Sequence, residues 1–153
     1  TLSELSLLEF IEAQVINYFS PYILTSRLKQ ALGRSHHNEK FVVNVSAMEG
    51  QFARESKTHF HPHTNMAKAA LNMMTRTSAE DYATSQIYMN SVDTGWITQE
   101  NPYPKAQRVY EGGFVPPLDE IDGASRIYDP IVRGIEGEPI YGYFLKDYEP
   151  YAW

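Results

Sequence analysis

The stretch FVVNVSA, Phe41 to Ala47, decides the fold of this chain. Its valines and phenylalanine are typical of a strand that is covered on both faces, as in a parallel sheet. A second run of the same kind, IYMNSVD, occupies Ile87 to Asp93. Between the two runs, apolar residues recur at helical spacing from Thr64 to about Ala83. Two such strands joined by a helix predict parallel pairing through a right-handed crossover.

Outside this unit, the chain continues to alternate helices with strands. Residues 3 to about 32 are predicted as one long helix, kinked at Pro21 because proline lacks an amide hydrogen. Residues 94 to 115 are rich in turn formers, a short helix begins at Pro117, and IYGYFLKDY at residues 140–148 is predicted as a third strand. This order predicts the α/β fold class with a parallel sheet. The first strand would have an open edge, which we expect another segment, another chain or a second copy to cover.

Length and composition favour one compact domain and exclude several classes of partner. The 153 residues suit a single domain, and 42% apolar with 13% aromatic residues are enough for a sizeable core. The net charge of −6 argues against a nucleic-acid partner or an anionic membrane surface. No apolar run is long enough for a membrane span. The absence of cysteine excludes disulfides and thiolate metal sites, and we expect the cytoplasm or another reducing compartment.

Several motifs resemble, in their order and spacing, the carboxyl-terminal half of a short-chain dehydrogenase/reductase. They are VINYFSPYIL at residues 15–24, FVVNVSAMEG at 41–50, the lysine of TNMAK at 64–68 and NSVDTGWIT at 90–98. YGYFLKDY followed by Trp153 is similar to the closing strand of some members. The resemblance implies one partial domain over residues 1–153, the second half of a Rossmann-like domain. It also implies the chemistry of the family, which is hydride transfer between a nicotinamide and a carbonyl or alcohol.

The resemblance assigns four candidate catalytic residues. Asn17 matches the asparagine of the long helix, and Ser46 matches the strand-end serine that hydrogen-bonds the substrate oxygen. Lys68 matches the lysine that binds the nicotinamide ribose and lowers the pKa of a neighbouring tyrosine, since a nearby cation favours the deprotonated phenol. The tyrosine position, one helical turn earlier, is Thr64. A threonine hydroxyl does not ionise near neutral pH, so Thr64 cannot replace a phenol as general acid.

The cofactor-binding residues implied by the resemblance are Lys68, Gly95 and Thr98. Where the family usually has Pro-Gly this chain has Thr94-Gly95, and Thr98 is one residue short of the usual offset for a contact with the nicotinamide amide. None of the nine glycines forms a G-x-G-x-x-G turn between a strand and a helix. On the family pattern, that phosphate-binding half would precede Thr1. We therefore expect NAD or NADP to bind only in a completed assembly, and not to the chain alone.

The candidates also have structural interpretations. Asn17 can hydrogen-bond backbone that a kink leaves free, and Ser46 at a strand end can act as a turn former. His59, His61 and His63 alternate, so in an extended segment they would share one side, as a metal site requires. No carboxylate completes a spacing such as H-E-x-x-H, and polar loop histidines are the plainer interpretation. His63 is also a candidate for the missing proton donor, because an imidazole can gain and lose a proton in the physiological range.

Two functions stay open from the sequence. The chain is either the portion of a carbonyl/alcohol oxidoreductase that works once the missing half is present, or a catalytically inactive scaffold or interaction subunit. In both cases we expect a partner, which is a second copy or a chain carrying the amino-terminal half. In the resembled family the helices matching residues 3–32 and 64–83 pack against the same pair of a second subunit. The small residues Ala67, Ala69 and Ala70 would allow such an approach.

Overall fold

The computed structural model describes residues 1–97, 103–113 and 115–153, in which helices lie on both faces of a four-stranded sheet. In chain order the elements are α1 (Leu7–Gln14), a π-helical segment (Val15–Phe19), α2 (Ser20–Gly33), β1 (Lys40–Ser46), a 3-10 turn (Met48–Gly50), α3 (Pro62–Ala83), β2 (Ile87–Asp93), α4 (Tyr103–Glu111), α5 (Glu120–Ile135), β3 (Phe144–Lys146) and β4 (Glu149–Tyr151).

The sheet confirms the predicted α/β class and its parallel crossover. The strand order is β1-β2-β3-β4. β1 and β2 run parallel, from Lys40 opposite Ile87 to Ser46 opposite Asp93, and β3 lies parallel to β2. Among the described residues, β1 pairs with β2 alone and its outer edge is open. The carboxyl ends of the parallel strands meet at one edge, so the residues that follow them come together there.

The predicted third strand, residues 140–148, is confirmed only at Phe144–Lys146 and is wrong at both of its ends. The chain reverses at Asp147 and Tyr148, and β4 pairs antiparallel with β3. Both turn residues have positive φ, 48° and 72°, as the type I′ turn of a two-residue hairpin loop requires. Neither residue is glycine, which would tolerate a positive φ best. Side chains of α5 hydrogen-bond the turn. Arg126 Nη2 donates to Asp147 Oδ1 at 3.3 Å, and Arg133 Nη2 donates to the Tyr148 carbonyl at 2.7 Å. A distant element therefore stabilises a turn that the local sequence does not reveal.

The interruption of the amino-terminal helix lies upstream of Pro21, contrary to the prediction. In the π-helical segment the Ser20 amide donates to the Val15 carbonyl, five residues back. The Ser20 hydroxyl donates to the same carbonyl at 2.8 Å. Pro21 then falls in the first turn of α2, where a missing amide hydrogen costs least.

Two further boundaries differ from the prediction. α4 occupies Tyr103–Glu111, inside the stretch predicted as turns. α5 begins at Glu120 and not at Pro117, because Asp119 caps it. The Asp119 carboxylate accepts two backbone N–H groups of the first helical turn, which would otherwise lack partners.

α3 and α5 cover opposite faces of the sheet. On the α3 side, Thr75 Oγ1 accepts from Asn44 Nδ2 at 2.9 Å and from Ser91 Oγ at 2.8 Å, so one helix residue links β1 to β2. On the other side, Gly134 of α5 lies against Phe41, and a Cβ there would be 2.3 Å from the ring. Both strands are therefore held between helices, which fixes the positions of their carboxyl ends.

Candidate active site

A cleft of about 320 Å³ lies beyond the carboxyl end of β1. Its walls are the turn after β1, part of the segment of residues 51–61 and the first turns of α3. Ala47, Thr64 and Lys68 line it together. Parallel α/β proteins bind their ligands at this edge of the sheet. Two of the four predicted catalytic positions, Thr64 and Lys68, thus share one cleft.

Lys68 is held between β1 and the turn that follows it. Its Nζ donates to the Val45 carbonyl at 2.9 Å. Gly50 packs directly on the backbone of α3, and a Cβ there would lie 2.7 Å from the Lys68 carbonyl carbon and 2.8 Å from the Ala69 nitrogen. A side chain at Gly50 would displace the turn or the helix, so this glycine helps to position the lysine.

Thr64 lies one helical turn before Lys68, as predicted from the spacing. Its hydroxyl donates to the His61 carbonyl at 2.9 Å, a bond that closes the first turn of α3. The residue lines the cleft and is partly exposed. Threonine therefore stabilises the helix start here and brings no ionisable group to the cleft.

Ser46 does not reach the cleft. Its side chain is 4% exposed, and its hydroxyl donates to Asn72 Oδ1 at 2.5 Å in the layer between β1 and α3. Successive residues of a strand point to opposite faces. Ser46 shares a face with Asn44, which contacts α3, and the residue that lines the cleft is its neighbour Ala47.

Asn17 is also absent from the side chains that line this cleft. Its Nδ2 donates to the Ala13 carbonyl at 3.0 Å, a bond from a helix side chain to the carbonyl four residues earlier. The π-helical segment that carries Asn17 packs against α3. The described contacts agree with the structural interpretation of this side chain.

The loop histidines have different surroundings. His61 lines the cleft, whereas His63 faces α1, with its Nε2 3.7 Å from Glu9 Oε1. His61 has a left-handed φ of 54°, so the chain is not extended there as a shared histidine face would require. In the part of the chain that the structure describes, no three His, Asp or Glu side chains come together to hold a metal ion.

Two basic side chains in the segment of residues 51–61 belong to the cleft, although no sequence pattern predicts them there. Arg54 and Lys57 line the same cleft as Lys68. Glu49 lies beside them, with its Oε1 2.5 Å from Arg54 Nη1. The only local signal was a pair of basic residues in a stretch without period, which is typical of any solvated loop.

Asp93, at the carboxyl end of β2, connects this strand to the turn that follows β1. It is 8% exposed, and its Oδ1 accepts the Met48 amide at 3.3 Å. Burial raises the pKa of Asp93, and the nearby Glu49 carboxylate also raises it, while the hydrogen bond from Met48 lowers it. Asp93 thus supports the turn that carries Ala47.

Two of the residues assigned to a dinucleotide, Lys68 and Gly95, lie at the end of the sheet where the parallel strands finish. Gly95 follows β2 with a φ of 74°, a conformation that favours glycine. Thr98 lies outside the described residues. The Lys68 ammonium group in the cleft fits the nicotinamide-ribose end of NAD or NADP. Among the described residues, no glycine-rich turn joins a strand to a helix N-terminus, which is where dinucleotide folds hold the pyrophosphate.

A mostly parallel sheet with helices on both faces and a cleft at the carboxyl ends of its strands defines a Rossmann-like α/β protein. The family model described as "Enoyl-(Acyl carrier protein) reductase" matches residues 1–110. The chain belongs to the short-chain dehydrogenase/reductase family.

Solved structures of the family share the fold. Carbonyl reductase Sniffer of D. melanogaster superimposes with a TM-score of 0.74 at 19% sequence identity, over all of this chain and 60% of that one. A putative short-chain dehydrogenase/reductase from Burkholderia multivorans with bound NADP has a TM-score of 0.70 at 19% identity, over all of this chain and 59% of that one. An NADPH-bound carbonyl reductase from chicken fatty liver has a TM-score of 0.66 at 19% identity, over all of this chain and 60% of that one.

A curated relative extends the comparison to sequence. An uncharacterized protein of Acanthamoeba polyphaga mimivirus is 37% identical over 99 residues, which are 61% of this chain and 21% of that protein. The chain thus spans about a fifth of the curated relative and about 60% of the solved structures. Within the described residues, no helix is long and apolar enough to cross a membrane.

Proposed function

We propose that this chain is the substrate-side portion of an NAD(P)-dependent oxidoreductase that interconverts a carbonyl and an alcohol. The observation that carries this proposal is the position of Lys68 in the cleft, one helical turn after Thr64 and at the carboxyl edge of the sheet. Activity depends on a nucleotide-binding half that supplies the site for the pyrophosphate.

Two residues of the cleft would bind the cofactor and transfer the proton. Lys68 would bind the nicotinamide ribose and, as a cation, favour the deprotonated form of a nearby acid. His61 would supply the proton, because it lines the same cleft and an imidazole titrates near neutral pH. His63, which faces Glu9, would not. The reduced nicotinamide supplies the hydride when it is bound.

The test is nicotinamide oxidation by the completed assembly, followed with a panel of ketones and aldehydes. Lys68→Met is expected to lower hydride transfer by about 10²–10⁴-fold, the range for a group that tunes proton transfer. Lys29→Met is the matched control, since Lys29 pairs with Asp81 and does not line the cleft. Equal activity of the Lys68 variant and the control would overturn the proposal.

A specific observation favours a second candidate, a reductase-like scaffold that does not transfer hydride. No tyrosine is among the described side chains that line the cleft, and the hydroxyls of Ser46 and Thr64 donate to protein acceptors. The same assay separates the candidates. If the completed assembly binds the dinucleotide but turns over no carbonyl, the scaffold function is supported.

The partner belongs to the proposal in both cases. We propose that the chain associates with a second copy or with a chain carrying the amino-terminal half. The open outer edge of β1 supports association with a chain carrying the amino-terminal half, because unpaired strand edges accept a further strand. The exposed apolar side chains of α1 and α2 support association with a second copy of this chain.

A further inference from the structure

The cleft carries more positive than negative charge, although the chain as a whole is acidic. Arg54, Lys57 and Lys68 line it, and Glu49 is the one carboxylate among its described lining residues. The formal balance is three cations against one anion, in a chain of net charge −6. Like charges gathered on one concave wall favour the binding of a ligand of opposite charge.

The contacts of the two loop cations leave donors for such a ligand. Arg54 bonds Glu49 through Nη1, and a guanidinium has five N–H donors in all. Lys57 Nζ donates at 2.6 Å to the backbone carbonyl oxygen of Glu49, and this neutral acceptor does not compensate the charge of the ammonium group. Within the described chain, no carboxylate lies within ion-pair distance of Lys57.

The electrostatic environment of Lys57 also favours the binding of an anion. Burial lowers the pKa of Lys57, the Arg54 charge lowers it further, and Glu49 compensates only in part. An anion next to both side chains would remove this mutual repulsion.

The cleft also has an apolar wall. Phe60 lines it and is 51% exposed, which leaves the ring accessible to a ligand. An exposed aromatic ring beside a cluster of cations matches a molecule with an acidic end and an apolar body.

We propose that the cleft binds a small organic anion through Arg54 and Lys57, with the apolar part of the molecule against Phe60. The anionic group is a carboxylate or a phosphate. This inference rests on the proposed function, because it takes the cleft to be the substrate site, and it narrows the substrates to acidic carbonyl or alcohol compounds.

The test uses a matched pair of ligands. Binding of 4-phenyl-2-oxobutanoate and of its neutral ethyl ester to the purified protein is measured by calorimetric titration, without nucleotide. The acid is expected to bind about tenfold or more tightly than the ester, in keeping with the strength of hydrogen bonds to charged groups. Inorganic phosphate as competitor shows whether the site prefers carboxylate or phosphate.

Variants locate the binding site. Arg54→Gln and Lys57→Gln should each abolish most of the preference for the acid, whereas Arg34→Gln, an equal charge change at the exposed end of α2, should retain it. Equal affinity for acid and ester, or an unchanged preference in both cleft variants, would overturn the inference.

The outcomes separate this inference from the proposed function. Preferential binding of the acid without any hydride transfer in the completed assembly would retain the anion site and reject the oxidoreductase. Hydride transfer to neutral ketones, with no preference for the acid, would retain the oxidoreductase and reject the anion site.

Discussion

At the scale of single residues, Thr64 is the position where a change should add function. It lies one turn from Lys68 and lines the cleft. Thr64→Tyr places a phenol beside the lysine, which would lower the phenol's pKa. We expect hydride transfer in the completed assembly to rise by up to about 10²-fold, the low end of the contribution of a general acid, because His61 is already assigned as a proton donor in the cleft.

The measurement is the turnover rate with and without Lys68→Met in the Thr64→Tyr background. The gain should vanish when the lysine is removed. An unchanged rate in Thr64→Tyr would contradict this prediction, since it would mean that the phenol adds nothing to the proton transfer assigned to His61.

Ser46 should behave as a core residue. Ser46→Ala leaves the buried Asn72 Oδ1 without its donor, and an unpaired buried acceptor costs about 1–3 kcal/mol. We expect the free energy of unfolding, measured by denaturant titration, to fall by that amount, with ligand affinity unchanged. Ser56→Ala is the control, since Ser56 lines the cleft but is exposed, and its stability should change by less than about 0.5 kcal/mol. Loss of activity at full stability in Ser46→Ala would restore the catalytic role predicted from the sequence.

At the scale of elements, the β3-β4 hairpin should lose stability in acid. The hydrogen bond from Lys146 is the main cause that lowers the pKa of Asp147, and the Arg126 guanidinium adds to it. A carboxyl with a lowered folded-state pKa stabilises the fold above its unfolded pKa, and this contribution is lost as the pH falls through the folded value.

Asp147→Asn removes the charge and retains a residue that tolerates the positive φ of the turn. The variant should therefore be less stable than the parent at neutral pH and equal to it at a pH below the folded pKa. Denaturant titration at both pH values measures the difference. Glu138→Gln, at an exposed position before the hairpin, should show no such pH-dependent difference, and a constant difference for Asp147→Asn at both values would contradict the prediction.

At the scale of the whole molecule, the amino-terminal helices should mediate self-association. Several of their large apolar side chains are exposed: Leu7, Leu8, Ile11, Ile16, Phe19, Ile23, Leu24 and Leu28. Apolar surface of this extent marks an interaction site in soluble proteins. Ala67 does not belong to it, since it is 0% exposed and already covered by its own chain, which corrects one part of the predicted helix contact.

Light scattering coupled to size exclusion measures the association. We expect a mass above the 17.5 kDa of one chain, and Ile16→Glu should shift it toward that value because a buried charge is costly. Ile121→Glu is the control, since Ile121 on α5 is 71% exposed and Ile16 is 68% exposed. A parent protein that runs as a single chain at micromolar concentration would contradict the prediction.

Short-range patterns were sufficient for β1, β2 and the crossover between them. β2 has the predicted bounds and β1 begins and ends one residue earlier than predicted, because β-branched runs between turn signals specify strands locally. The one-turn spacing of Thr64 and Lys68 also follows from helix geometry alone. The structure places both of these residues in one cleft, and the catalytic role that the family resemblance assigns to Lys68 stays a prediction.

Contacts between distant segments determine the rest. Ser46 faces α3 because the register of β1 against that helix directs alternate side chains inward, and a pattern of residue types does not distinguish that face from the cleft. The Asp147-Tyr148 turn forms because two arginines of α5 bond it. Arg54 and Lys57 meet Lys68 only because the segment between β1 and α3 folds back over the carboxyl end of the sheet. Local sequence specifies which elements form, whereas the charge and shape of the cleft arise from side chains that are distant along the chain and adjacent in space.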